Sequence, residues 1–224
     1  MSWLEQRVHV IDFEGSVRTG VVEYGVVTLR AGRIEGVETA VCRPRRAVPA
    51  EEARVHGLGG DAVRAAAGFE AAWPLFAALR ETGVLAAHFS SAEESMLRSY
   101  WPCPRLSPDW LEPGREVATW GPWIDTGRIA AERVPAGASV ALEDLVARFG
   151  LGEALAELAG EFCPAERRRF HCALFDALAC ALLLLEFAGG GGSRAPWSLA
   201  RLLAASTADK KTREARSQPR LPGF

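Results

Sequence analysis

Two carboxylates, Asp12 and Glu14, stand two residues apart where the apolar run Arg7–Phe13 ends. Side chains alternate along a strand, so Val8, Val10, Asp12 and Glu14 share one face if this run is a strand. Two like charges about 6–7 Å apart beside a hydrophobic core are costly unless something neutralises or hydrates them. A divalent cation would neutralise them; a strand emerging into solvent at Asp12 would leave the pair simply hydrated. A second misplaced acid is Asp176, which interrupts the otherwise apolar run Cys172–Leu185. A helix interior does not take an unpaired aspartate cheaply, so Asp176 needs a partner. A wet stripe shared with Glu186 is the alternative, and the geometry weakens it, because ten residues leave the two about 80° apart around a helix. His171 stands five residues before Asp176, and His88 precedes Phe89, Ser90, Ser91, Ala92 and the neighbouring acids Glu93 and Glu94.

The elements that must position these residues follow from periodicity. Arg7–Phe13 is apolar on both faces, as in a central strand. Val21–Arg30 and Ile34–Cys42 continue the strand signal around a turn at Ala31, Gly32 and Arg33. From Glu51 to Thr82 the composition turns to Ala, Glu and Arg, broken at Gly57–Gly60 and restarted near Pro74. A short strand Val84–His88, a helix over Ala92–Tyr100, a proline-studded loop over Trp101–Arg115 and a last strand over Glu116–Asp125 come next. Helices are expected over Thr126–Arg133, Ala141–Phe149 and His171–Phe187. Gly189–Gly192 reads as a glycine joint, Pro196–Ser206 as a short helix and Asp209–Phe224 as a polar, basic tail. Strands first, then alternating helices and strands, predict an α/β domain with a mixed sheet.

Composition narrows the class. The chain has 224 residues, 49% of them hydrophobic and 24% charged, which is the balance of a globular protein and not of a disordered one. No stretch approaches the roughly 18 apolar residues of a membrane span, and the first residues lack a secretory pattern, so a cytoplasmic protein without a membrane partner is expected. The net charge of −2 gives no strongly basic surface. Cys42, Cys103, Cys163, Cys172 and Cys180 form no CxxC pair and read as buried free thiols. Trp101, Trp110, Trp120 and Trp123 crowd one region, where packing is the expected role and base stacking the rarer one.

Taken together, the motifs resemble a family. Asp12-Phe13-Glu14 is similar to the D-x-E motif of the DEDD 3′–5′ exonucleases of the RNase H-like superfamily, and His171 with Asp176 resembles the H-x-x-x-x-D motif of its histidine (DEDDh, DnaQ-like) branch. Val55-His56-Gly57-Leu58 resembles the H-G-I/L segment, and Ala87–Glu93 a degenerate A-H-N-A-x-F-D. The resemblance implies an exonuclease-like domain over residues 1–188, built on a five-stranded mixed sheet flanked by helices, with the joint, short helix and tail in 189–224. It implies two Mg²⁺ or Mn²⁺ held by Asp12, Glu14, Asp176 and Glu93, with Glu94 as the rival for the last place; hard oxygen donors suit both ions. His171 would be the general base, a role to which imidazole is suited. Phe13, Gly15, His56, Leu58 and His88 would line the substrate site.

The implied activity is hydrolysis at 3′ ends of single-stranded DNA or RNA with release of nucleoside 5′-monophosphates. Homodimers or association with a polymerase occur among such proteins. The sequence also departs from the pattern: glutamate replaces the second-motif aspartate, Phe89 replaces asparagine, and Gly15 and Ser16 replace two threonines. These departures keep open a nucleic-acid-binding module with a weakened or silent site, and a phosphodiesterase acting on small molecules.

Overall fold

The computed structural model describes residues 2–189 and 195–207. Most of the glycine joint and the polar tail with Lys210 and Lys211 therefore lie outside the described residues. Strand β1 (Val8–Ser16) turns into β2 (Gly20–Arg30) and β3 (Arg33–Val41), an antiparallel meander. Helices α1 (Ala50–His56), α2 (Asp61–Arg64) and α3 (Trp73–Thr82) lead to β4 (Val84–Ala87) and helix α4 (Ser91–Tyr100). A two-stranded ribbon, β5 (Ser107–Pro108) and β6 (Glu116–Val117), precedes β7 (Trp123–Asp125). The last helices are α5 (Thr126–Ala131), α6 (Leu142–Arg148), α7 (Gly152–Phe162), α8 (Ala173–Ala188) and α9 (Leu199–Ala205). The main sheet runs β3-β2-β1-β4-β7, with β1, β4 and β7 parallel. This is the mixed five-stranded α/β architecture expected from the sequence.

Alternation along β1 separates two cores. Val8 and Val10 pack with α8, α6 and α7, while Ile11 and Phe13 pack with Phe69, Phe76 and α4 residues Met96 and Leu97. α8 is apolar almost all round because it is covered by the sheet on one side and by α5–α7 on the other. Two expectations need correction. Within Glu116–Asp125 only Trp123–Asp125 joins the main sheet; Gly121 and Pro122 stand between it and Glu116–Val117, and proline cannot donate to a ladder. Helix α7 was not expected, although Leu155 and Ala159 bury one of its faces. The thiols also divide: Cys103 is exposed and the other four are buried. Trp101 and Trp120 pack with Trp73 and Phe69 in the second core. Arg80, buried on α3, pins the connection before β7 by donating to the carbonyls of Pro108, Thr119 and Gly121 at 2.9–3.1 Å.

Gly25 decides how closely α8 approaches the sheet. It lies opposite Asp12 on β2, and a Cβ there would stand 2.3 Å from the carbonyl carbon and oxygen of Ala173 and from the nitrogen of Leu174. Because backbone cannot move aside as a side chain can, Gly25→Ala must push the start of α8 off the sheet. The expected cost is about 1–3 kcal/mol or more, measured by urea denaturation, with a disproportionate loss of divalent-cation binding because Asp176 moves away from β1.

Candidate active site

The acids converge from three elements. β1 presents Asp12 and Glu14 on its α8-facing side, α4 presents Glu93 in its first turn, and α8 presents Asp176 in its own. The strand ends in a bulge between Glu14 and Gly15, where Gly15 has φ 115° and a Cβ would meet the Gly20 carbonyl oxygen at 2.2 Å. Glycine is thus required for the turn that closes the Glu14 end of the site. Glu14 is 8% exposed, Glu93 5% and Asp176 7%, while Asp12 is half-buried.

Donor atoms of Glu14, Asp176 and His171 lie within 4.8 Å of one another. His171 precedes α8 instead of beginning it, exposed and in the left-handed region at φ 61°. That conformation aims its backbone N–H at Asp176 Oδ2, 3.0 Å away, which is the partner the buried aspartate requires. Asp176 Oδ1 and Glu93 Oε2 have no partner among the described residues. Glu94, by contrast, is partly exposed and paired with Arg98 at 3.8 Å along α4. Buried carboxylate oxygens left without protein donors are the kind of donor set that Mg²⁺ or Mn²⁺ accepts, so the residues present fit such ions.

Electrostatics say the same. Burial, aggravated by Asp176 and Glu23, pushes Glu14 up to about 8. Burial, with Asp125 and Glu14, pushes Glu93 up to about 8 despite a local backbone hydrogen bond. Asp176 is raised to about 7, chiefly by burial, although the His171 N–H opposes the shift. Asp12 is held well above the usual range by burial and then by Asp176, Glu14, Glu93 and Glu23. With folded pKa values above the unfolded ones, the native state keeps protons that the unfolded chain releases. The stability that these carboxyls contribute in the metal-free protein is therefore fully present below about pH 4 and is lost as pH rises toward 8. A divalent ion must displace those protons. Melting curves with and without Mg²⁺ are expected to coincide near pH 5 and to separate by several degrees near pH 8.

Two residues not singled out from the sequence hold the frame. Glu23, the β2 partner of Glu14, is buried; it accepts from Arg167 Nε at 3.1 Å, from a second guanidinium nitrogen of Arg167, and from the Ala173 N–H at 2.9 Å. Arg167 also donates to the His56 carbonyl at 2.7 Å. One guanidinium thus ties β2 to the end of α1, and Glu23 in turn holds the start of α8 through the Ala173 N–H. A pocket of about 460 Å³ opens beside this frame, lined among others by Glu23, Gly57, Leu58, Arg167, Arg169 and Cys172; none of the four acids lines it.

The remaining expected substrate-site residues are placed differently from one another. Leu58 reaches that pocket. His56 is buried, its Nδ1 accepting from the Leu58 N–H at 3.1 Å, and burial lowers its pKa. Phe13 faces away from the acids, its ring centroid 5.3 Å from that of Phe69. Both ring nitrogens of His88 are engaged, with Thr126 Oγ1 and the Val140 carbonyl each at 2.9 Å.

No family model and no curated protein matches this sequence. Solved structures do match in fold. Exonuclease X in complex with 5′-overhanging duplex DNA is 19% identical, with a TM-score of 0.63 over 89% of this chain and 99% of its own. The nuclease domain of 3′hExo, a DEDDh family member bound to rAMP, is 18% identical, with a TM-score of 0.56 over 87% of this chain and 97% of its own. Exonuclease I from Methylocaldum szegediense is 15% identical, with a TM-score of 0.55 over 81% of this chain and 40% of its own. The sheet order, the helices around it and these likenesses together give the chain the RNase H-like fold of the DEDDh exonucleases.

Proposed function

We propose that this protein is a divalent-metal-dependent 3′–5′ exonuclease that cuts single-stranded DNA or RNA ends into nucleoside 5′-monophosphates. The observation that carries this reading is the convergence of half-buried Asp12 with buried Glu14, Glu93 and Asp176, all with raised pKa values, and with Asp176 Oδ1 and Glu93 Oε2 lacking partners among the described residues. The complexes of two fold neighbours, one with 5′-overhanging duplex DNA and one with rAMP, support a nucleic-acid substrate.

In this reading the four acids hold two Mg²⁺ or Mn²⁺, with Glu93 and not Glu94 in the fourth place, since Glu94 is already paired with Arg98. Such ions supply an activated water and neutralise charge at the phosphate and the departing 3′ oxygen. Exposed His171 takes the proton of the attacking water; its backbone bond to Asp176 fixes where the ring starts. Leu58, at the edge of the neighbouring pocket, offers an apolar surface to the terminal nucleotide.

The test compares wild type and Asp12→Ala on single-stranded oligonucleotides with Mg²⁺, Mn²⁺ or EDTA. Release of mononucleotides by wild type alone, abolished by EDTA, is the expected result. Equal release by the variant, or none by either protein, would sink the reading; intact oligonucleotide binding without release would leave a binding module on the same fold.

A further inference from the structure

Among the described residues, Ala31, Phe89 and His171 are those with a side chain and a positive φ. Ala31 lies in the β2–β3 turn, but Phe89 and His171 both flank the acids. An aromatic residue at φ 60° is unfavourable and persists only when its surroundings impose it. Here they do so through Asp125, buried at the end of β7. Its Oδ1 accepts from the Phe89 N–H at 3.3 Å, and its Oδ2 from the Ser90 N–H and hydroxyl at 3.0 Å each. The ring lies against a neighbour that has no side chain: a Cβ on Gly127 would stand 2.7 Å from it. His88 meets it edge-on at 4.6 Å. Supported on that side, Phe89 is nevertheless 42% exposed, whereas Phe13, Phe69 and Phe76 of the second core are buried.

The ring thus packs on Gly127 and His88 while much of its surface stays in solvent. It stands four residues before Glu93, at the start of the helix that delivers this acid. We propose that Phe89 is a stacking platform for a base of single-stranded nucleic acid, within the first few nucleotides upstream of the bond being cut. The inference rests on reading the acids as the place where a 3′ end is held. A π-face stacks on any base, so the platform gives affinity and positioning without sequence preference. A ring that rests on Gly127, on a backbone held by Asp125, also loses little freedom on binding.

The test measures binding of the full chain to a fluorescent 12-mer with Ca²⁺ replacing Mg²⁺. Phe89→Ala and Phe89→Leu are expected to weaken binding about tenfold to a hundredfold, with Phe89→Trp staying within about threefold of wild type. An abasic nucleotide scanned from the 3′ end should cause a similar loss in wild type at one position and no added loss in Phe89→Ala. Leucine binding like wild type, or the abasic loss being equal in both proteins, would overturn the proposal; should Phe89→Ala misfold, the leucine and tryptophan variants carry the same contrast. Wild-type release of nucleotides with Mg²⁺ separates the two readings. Release with Phe89-independent binding defeats the platform alone, and Phe89-dependent binding without release defeats the exonuclease alone.

Discussion

Asp176→Asn is expected to lower 3′-end hydrolysis by about a thousandfold or more while making the metal-free protein more stable at pH 8. The first effect follows from losing a charged ligand: several kcal/mol of charge stabilisation at about 1.4 kcal/mol per decade of rate. The second follows from burial. Above pH 7 the Asp176 carboxylate is ionised in a site that opposes its charge through desolvation, Glu23 and Glu143. Asparagine removes that charge yet still offers an oxygen to the His171 N–H that Asp176 now binds. At pH 5 the stability gain should vanish, because the native carboxyl is then protonated already. Thermal melts at the two pH values, read beside initial rates, separate a functional acid from a structural one: a structural Asp176 would lose stability at both.

Arg167→Met should have the largest effect on stability. Removing one partner of a buried ion pair leaves the other uncompensated, at about 3–5 kcal/mol. Glu23 would keep only the Ala173 N–H, and the His56 carbonyl would lose its donor. Adding Glu23→Gln should restore much of that stability, since a neutral amide tolerates the loss of the guanidinium. It should not restore activity fully, because β2, α1 and α8 would no longer share one tether. Urea denaturation of the two single variants and the double variant measures the coupling; additive losses would show that the pair does not hold the frame.

The pattern of what was legible in the sequence has a physical cause. Alternation placed Asp12 and Glu14 on one face, and the apolar run marked Asp176 as needing a partner; both inferences are local. The hairpin strands, β4, α4 and α8 were likewise readable, because each buries a continuous stripe of its own residues. Glu23 and Arg167 were not. They are 144 residues apart, and each is an ordinary charged residue until β2 and the segment before α8 meet. Gly25 was silent for the same reason, since its requirement comes from the backbone of Ala173. Spacing favours Glu93 but leaves Glu94 a close rival, and the rotation of α4 is what turns one inward and the other toward Arg98. Phe89 looked like a lost amide; its left-handed backbone and the support of Gly127 are properties of the folded chain.

The central claim is that these buried carboxylates form one metal centre. Anomalous diffraction from crystals grown with Mn²⁺ tests it most directly. Two peaks are predicted among the carboxylate oxygens of Asp12, Glu14, Glu93 and Asp176, with Glu94 still on Arg98. Crystals saturated with Mn²⁺ that show no peak between these acids, or a site built on Glu94, would contradict it.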